Sequence, residues 1–481
     1  MPPTIALTLW AVLLLALLRL DAAKEPNTSW ALWVPVIWMS ILGSRLPSQW
    51  LGSQVGVAAQ ALEEGNPLDR TVSFLLILLA AGILISRSFN WRDFFLCNVA
   101  LVAFLCFALV SVTWSDFPFV AFKRWVRDLE NYLVILVVLS DPYPIGAARA
   151  VLRRLSYLLI PLSVVLIKYY PEIGKSWDSW TGIAEYSGVT TGKNMLGVLC
   201  LVCGLFFFWD TVTRWADRKR PQTRWVILVN IAFLAMTIWL LDISNSATSR
   251  VCLVLGCLII AAARSKIVRR HPALLTVGIP VGICLYLTLA FGLGVDIKDA
   301  VARAVGRDPT LTDRTKIWSF LLSMKTNPFF GVGYESFWLG PRLEWFWRNA
   351  SLGHINEAHN GYLEVYLNLG IIGLLLLGWF VIASYRTISR RLALSSLGPF
   401  RLSVWTITLL YSVTEAGFRN GLMWLTFLLV AIAAPERASD RAPAFHASLD
   451  IAGTNAVISS VPLKSKELGD VNVPNSHQQW N

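Results

Sequence analysis

The chain is dominated by long apolar runs that are separated by short polar segments. Each run is close to the about 20 residues that a helix needs to cross a bilayer. The run at 128–141 is the weakest, because Asp128, Glu130 and Asn131 crowd its start. The pattern therefore predicts an all-α, polytopic membrane bundle of 12 to 13 spans. The candidate spans are residues 4–20, 30–46, 71–87, 94–113, 128–141, 152–170, 192–210, 224–241, 248–264, 273–293, 361–385, 398–416 and 420–434.

The composition agrees with this pattern. Hydrophobic residues make up 55% of the chain, charged residues only 15%, and the mean hydropathy is +0.56. A water-soluble chain with one or two cores would not need this balance. It excludes a single-anchor protein with a large soluble domain. The seven cysteines lie in or beside apolar runs, so no disulfide framework is expected.

The net charge of +12 is mainly a signal of topology rather than of nucleic-acid binding. Basic residues concentrate in three short loops, which the positive-inside rule places in the cytoplasm. The long loop then faces the periplasm. The predicted organisation is N-terminal transmembrane spans in 1–293, an aromatic-rich periplasmic loop in 294–360, C-terminal spans in 361–434 and a disordered cytoplasmic tail in 435–481.

The periplasmic loop is too rich in tryptophan and phenylalanine to be a solvated tether. Residues 312–327 are predicted to form a short amphipathic helix, with Thr312 as N-cap and Pro328 after its end. Arg314 then lies in the first turn, where the helix dipole disfavours a cation. This cost indicates either a functional role or an ordinary surface arginine beside Asp313.

The end of the loop carries the best candidate for a catalytic base. Asn360 is a predicted N-cap for the next span, and His359 directly precedes it. The positive partial charge of a helix N-terminus favours a neutral imidazole, which accepts a proton at neutral pH. His354 is the other histidine in this loop, but no helix or cap places it. A purely structural cap is the alternative for His359.

Polar side chains also enter other spans from the outward side. Lys193 and Asn194 begin one span, Arg250 begins another, and Glu415 lies near the outer end of a late one. Snorkelling explains each of them alone. As a set, cations at this depth suit a lipid-linked phosphate or pyrophosphate. The outward loops contain no D-x-D pair of acids, so no metal or other cofactor is expected.

An ordered series of short motifs resembles the O-antigen ligase and polymerase family. Its entry motif, Lys193-Asn194-x-x-Gly197, is similar to that of the exopolysaccharide polymerase branch, the ExoQ type. The resemblance covers roughly residues 185–420. The other matching stretches are Asp313–Trp318, Asn327–Trp338, Ala358–Leu363 and Leu369–Gly373.

The resemblance implies a glycosyltransferase-type enzyme of the bacterial inner membrane. Such an enzyme moves a saccharide from an undecaprenyl-pyrophosphate carrier to a hydroxyl of an acceptor glycan at the periplasmic face. It implies that His359 is the base, that Arg314 and Arg250 hold the pyrophosphate and that Glu415 lies near the site. Inverting, metal-independent transfer is also implied.

Lys193 is a third candidate for donor pyrophosphate binding, and Asn194 and Asn360 are candidate supporting residues. His354 keeps the assignment of the base open. The expected partners are the lipid-linked oligosaccharide, the acceptor glycan and the bilayer, with no nucleic acid. The alternative is a transporter or flippase of lipid-linked glycan, which would need polar residues near the bilayer midplane and repeat symmetry.

Overall fold

The computed structural model describes residues 1–24, 28–52, 65–87, 89–177, 182, 184–287, 314–350, 354–419 and 421–433. These residues are mostly helical, as expected, with one small antiparallel sheet of β1 (Lys175–Trp177) and β2 (Ala184–Tyr186). Residues 435–481, the predicted tail, lie outside the described part of the chain.

The helices fall into two groups along the chain. The first ten are α1 (Pro3–Lys24), α2 (Trp33–Leu42), α3 (Pro47–Trp50), α4 (Pro67–Ser86), α5 (Trp91–Cys97), α6 (Val99–Val110), α7 (Pro118–Leu139), α8 (Pro144–Tyr169), α9 (Pro171–Gly174) and α10 (Lys193–Arg214). The others are α11 (Pro221–Ile243), α12 (Ala247–Arg264), α13 (Lys266–Arg270), α14 (Ala273–Thr276), α15 (Gly278–Leu287), α16 (Arg314–Ser323), α17 (Gly340–Asn349), α18 (Gly361–Arg391), α19 (Gly398–Thr414) and α20 (Leu422–Ala431). Short 3-10 turns cover Trp30–Leu32, Ser111–Trp114 and Trp215–Asp217.

Each candidate span coincides with helical structure over at least part of its length. Within the described residues, six helices are long and apolar enough to cross a membrane. A seventh span results if α5 and the segment Val99–Trp114, bent by 93°, cross together. The protein is therefore multi-pass, while the full count of 12 to 13 spans stays a prediction.

Small residues bring the helices that carry the candidate site into close contact. A Cβ atom added to Gly197 in α10 would lie 2.6 Å from the Ser246 side chain and 2.8 Å from Ser249 Oγ. Thr248 Oγ1 in α12 lies 3.1 Å from Thr414 Oγ1 in α19. Close approach of this kind is typical of helix packing in membranes. The starts of α10 and α12 therefore lie at the same end of the bundle as the end of α19.

The described part of the long loop has a hydrophobic core of its own. The predicted amphipathic helix is present as α16, although its proposed N-cap, Thr312, lies outside the described residues. Ile317 and Leu321 of α16 are buried with Leu343 and Phe346 of α17. The loop therefore folds against the bundle as a compact cap where it is described.

Helix α18 is interrupted at Gly370, and a segment of the loop lies in the break. Gly370 has φ 66° and ψ −165°, which is not a helical conformation. The backbone groups released by the break pair with loop residues 328–333. The Ile371 and Ile372 N–H groups donate to the Pro328 and Phe329 carbonyls at 2.9 and 3.2 Å, and the Val332 and Gly333 N–H groups donate to the Leu367 and Asn368 carbonyls at 3.1 and 2.9 Å.

Glycine is required where these two backbones meet. A Cβ atom on Gly370 would lie 2.2 Å from the Phe329 carbonyl oxygen, and one on Gly331 would lie 2.4 Å from the Asn368 carbonyl. Non-helical backbone at membrane depth is tolerated when its polar groups are satisfied within the protein. The Asn327–Trp338 and Leu369–Gly373 motifs therefore form one structural unit, which holds the loop against α18.

Candidate active site

The candidate site is built around His359, at the junction between the loop and α18. The Asn360 side chain accepts hydrogen bonds from the Tyr362 and Leu363 N–H groups, both at 3.0 Å, which confirms Asn360 as the N-cap. His359 itself has φ 48°. A non-glycine residue in the left-handed region is uncommon, and such strain concentrates at functional sites. The cap thus fixes the residue that follows His359 and so directs the imidazole.

Two carboxylates face the same imidazole nitrogen. His359 Nδ1 lies 2.9 Å from Glu357 Oε1 and 3.4 Å from Glu415 Oε2. The His359 side chain is 23% exposed, whereas that of Glu415 is 7% exposed. Glu415 was a predicted site residue, but Glu357 was missed. Its position two residues before His359, in a loop, was the signal available in the sequence.

Arg314 completes the group by holding the other oxygen of Glu415. Its Nη2 donates to Glu415 Oε1 at 2.6 Å, with the arginine side chain 14% exposed. The Glu415 carbonyl also accepts the Gly361 N–H at 3.0 Å. Glu415 therefore connects the start of α16, the start of α18 and the end of α19. The sequence predicted these three site residues separately, and the fold brings His359, Arg314 and Glu415 together.

The expectation of a neutral imidazole at the helix N-terminus is wrong for this arrangement. Burial lowers the pKa of His359, but the hydrogen bonds and charges of Glu357 and Glu415 outweigh it and raise the pKa to about 9. Burial raises the pKa of Glu357, yet its bond to His359 and the nearby arginines bring that pKa below the usual value. The ring is therefore mostly an imidazolium at neutral pH, because paired carboxylates overcome a helix-terminus effect.

His354, the competing histidine, lies elsewhere in the loop core. Its ring centroid is 4.7 Å from that of Trp347, whose indole N–H donates to the Ile355 carbonyl at 2.8 Å. The two carboxylates contact His359. Geometry therefore favours His359 as the candidate base and gives His354 a packing role.

Arg250 contacts an acid of its own. Its Nη2 lies 3.2 Å from Asp242 Oδ1, and the side chain is 34% exposed. Thr248, two residues earlier, contacts Thr414, the neighbour of Glu415 in the chain. Arg250 is thus near the site in the fold, and its ion pair is with Asp242.

Lys193 and Asn194 begin α10 at the same end of the bundle. Lys193 Nζ forms an ion pair with Glu185 in β2. Gly197, one turn further, abuts Ser246 at the start of α12. The structure thus places these residues beside the helix that carries Arg250, without a contact to His359 among those it describes.

Arg419 is a second residue that sequence reasoning missed. Its Nη1 donates to the Asn356 carbonyl at 2.8 Å, and its Nε lies 3.5 Å from Glu335 Oε2. Burial lowers its pKa, but the charges of Glu335 and other acids raise it further above the ordinary value. Arg419 therefore stays cationic and ties the His359 loop to the turn after Gly333. The signal in the sequence was its place four residues after Glu415.

Glu357, His359 and Glu415 also have the spacing of a metal site, since their ligand atoms lie within 4.8 Å of one another. Two positive groups already serve these carboxylates. The imidazolium contacts both of them, and Arg314 contacts Glu415. A divalent ion would compete with these contacts, so the donor set fits an internal ion-pair network better than a resident metal.

Comparisons with known proteins agree with this geometry. Residues 231–378 match the family described as O-antigen ligase. The resemblance to the O-antigen ligase and polymerase family is confirmed. The exopolysaccharide production protein ExoQ of Rhizobium meliloti (strain 1021) is 25% identical over 295 residues. That alignment covers 59% of this chain and 64% of the relative, so less than two thirds of the relative's length is matched.

The family match includes the most important candidate residues. Arg250, Arg314 and His359 lie within residues 231–378, whereas Lys193 and Glu415 lie outside them. Together with the long apolar helices, the match indicates a multi-pass bacterial membrane protein that processes glycans.

Proposed function

We propose that this protein transfers a saccharide from an undecaprenyl-pyrophosphate carrier to a hydroxyl of an acceptor glycan. The observation that carries the proposal is the contact of His359 with Glu415 and of Glu415 with Arg314, at one end of a membrane bundle. A base beside a buried cation suits a reaction in which a hydroxyl loses a proton and a pyrophosphate leaves. The family match and the named relative support the same reaction class.

In this reaction, His359 is the general base. Glu357 and Glu415 both face Nδ1, so Nε2 is the nitrogen that accepts the proton from the acceptor hydroxyl. The acceptor oxygen then attacks the anomeric carbon as the bond from that carbon to the pyrophosphate breaks. Attack opposite the leaving group inverts the configuration. Only the fraction of molecules with a neutral imidazole performs the first step.

The leaving pyrophosphate is stabilised by cations, without a metal. Arg314, Arg250 and Lys193 each contact one carboxylate, in Glu415, Asp242 and Glu185. We propose that donor binding exchanges these carboxylates for pyrophosphate oxygens, which arginine binds in a bidentate manner. Asn360 supports the site by capping α18 behind His359. Asn194 is a supporting candidate through its place beside Lys193.

The remaining sequence predictions form part of this proposal. The protein lies in the bacterial inner membrane, with the loop of residues 294–360 and the His359 site in the periplasm. Residues 1–293 and 361–434 supply the spans, and residues 435–481 form the cytoplasmic tail. The positive-inside distribution of basic loops supports this orientation.

Reconstitution tests the proposed reaction class. Purified protein in liposomes is given a lipid-pyrophosphate oligosaccharide and an acceptor glycan, in the presence of a chelator. A new glycosidic bond and released undecaprenyl pyrophosphate support the transferase. Movement of the intact lipid across the bilayer without a new bond supports the transporter instead.

A further inference from the structure

A second charged cluster is buried far from His359. Lys193 and Asp210 lie in the same helix α10, 17 residues apart, which corresponds to about 25 Å along the axis. Because Lys193 begins α10 at the His359 end, Asp210 lies towards the opposite membrane surface. The members of this second cluster are Asp21, Arg149, Arg153, Arg154, Asp210, Arg214 and Asn230.

Asp21 of α1 is held by two consecutive arginines of α8. Arg153 Nη1 donates to Asp21 Oδ1, and Arg154 Nε donates to Asp21 Oδ2, both at 2.8 Å. The side chains of Asp21 and Arg153 are fully buried, and that of Arg154 is 9% exposed. The Arg154 guanidinium also lies 5.2 Å from the centre of the Trp33 ring. Both carboxylate oxygens of Asp21 are therefore occupied.

Asp210 is fully buried and is shared by three arginines. Its oxygens lie 2.9 Å from Arg149 Nε, 3.0 Å from Arg214 Nε and 3.8 Å from Arg153 Nη2. Asn230 Nδ2 of α11 also donates to Asp210 Oδ2 at 2.9 Å. The acceptor capacity of Asp210 is therefore filled from inside the protein.

Positive charge exceeds negative charge in this cluster. Among the described residues, four guanidinium groups surround two carboxylates. Each guanidinium carries five N–H donors, whereas each carboxylate accepts about four hydrogen bonds. Excess buried positive charge is costly unless an anion compensates it. The side chains of Arg149 and Arg214 are 16% and 23% exposed, so a ligand can reach the cluster along this edge.

Aromatic residues place this edge at the height of the lipid headgroups. Trp215 follows Arg214 and is 49% exposed, and Trp225 at the start of α11 is 70% exposed. Exposed tryptophans are enriched where a membrane meets water. The Arg218 guanidinium lies 5.5 Å from the Trp215 ring, and its exposed side chain continues the basic surface.

We propose that the cluster around Asp210 and Asp21 binds the phosphate of an anionic phospholipid in the cytoplasmic leaflet. Basic pockets between helices bind anionic headgroups at this surface. Arginine suits the role because its planar fork matches phosphate oxygens. The site is distinct from the His359 site and does not depend on the proposed transferase reaction.

The full-length protein, in a neutral detergent, is titrated with short-chain phosphatidylglycerol and followed by native mass spectrometry. We expect binding of one lipid at low concentration. Phosphatidylcholine and inorganic phosphate should bind at least about tenfold more weakly, since each lacks either the net charge or the apolar tail. R214Q should raise the apparent dissociation constant about tenfold, because it removes a charge-assisted contact. R218Q, in the same basic loop, should leave it unchanged.

D210N serves as a second variant with the opposite sign. It removes the carboxylate that competes with the phosphate for the arginines, so phosphatidylglycerol should bind more tightly. Equal losses in R214Q and R218Q would indicate diffuse surface attraction and overturn the proposal. Equal affinity for phosphatidylcholine, or equally tight binding of inorganic phosphate, would also overturn it. Unchanged or weaker binding by D210N would show that the cluster is only an internal ion-pair network.

Discussion

Arg314 and Glu415 are 101 residues apart in the chain, and Arg314 Nη2 donates to Glu415 Oε1 at 2.6 Å. This ion pair fixes the start of the loop helix α16 against the end of α19. The second oxygen of Glu415 faces His359 Nδ1 at 3.4 Å. A change in any one of these three groups therefore alters the charge experienced by the other two.

Replacing Arg314 with Gln should lower kcat/KM for the lipid donor by about 10- to 100-fold, mainly through a higher KM. The reason is the loss of a charge-assisted, partly buried contact to pyrophosphate, which contributes about 1.5–3 kcal/mol. Steady-state kinetics with varied donor measures the effect. The matched control is Arg348→Gln in α17, an exposed loop arginine that donates to the Glu344 carbonyl. Unchanged donor kinetics for Arg314→Gln would remove the pyrophosphate role.

Transfer should become faster as the pH rises towards about 9. The pKa of His359 is raised to about 9, so the imidazole holds its proton below that pH and becomes a base above it. At pH 7 only about one molecule in a hundred has a neutral ring, from the two-unit difference. A pH profile of kcat/KM, over a range in which the protein stays folded, checks this expectation.

Glu357→Gln provides the control for that profile. Removing the nearer carboxylate destabilises the imidazolium, so the rising limb should move to lower pH. Activity at pH 7 then increases if the only role of Glu357 is to hold the proton, and it decreases if Glu357 also orients the ring. A rising limb that stays in place would mean that another group titrates.

Gly370→Ala should destabilise the fold by more than about 1–2 kcal/mol, the cost of a left-handed backbone for a residue with a Cβ atom. The added Cβ would also lie 2.2 Å from the Phe329 carbonyl oxygen, so the inserted loop segment must move. Thermal unfolding in detergent measures the loss. Gly378→Ala, in the same helix, meets no atom within 4 Å and should have little effect. Equal unfolding temperatures for the two variants would contradict the tight fit of the loop into α18.

Local signals in the sequence anticipated much of the site. Asn360 followed by an apolar run predicted the cap, and the helix after Thr312 is present as α16. These features depend on residues a few positions apart, so their physics can be read along the chain. Arg314 in the first turn of a helix was ambiguous for the same reason. Its compensation comes from Glu415, which no local pattern connects to it.

Long-range contacts explain what the sequence could not give. Glu357 looked like a solvated loop acid until the fold placed it 2.9 Å from His359, and the resulting proton affinity reversed the expected charge of the ring. The break at Gly370 was invisible because an apolar run with single glycines is compatible with a continuous helix. Only the insertion of residues 328–333 makes the interruption favourable.

The central claim is that His359 removes the proton from the acceptor hydroxyl. Wild-type protein and His359→Ala are reconstituted in liposomes with lipid-pyrophosphate oligosaccharide, acceptor glycan and a chelator, and the new glycosidic bond is quantified. His354→Ala is the matched histidine control. We predict full activity in the wild type despite the chelator, nearly full activity in His354→Ala, and a loss of about 10²- to 10⁴-fold in His359→Ala with unchanged folding and insertion. Undiminished bond formation by folded His359→Ala would contradict the account.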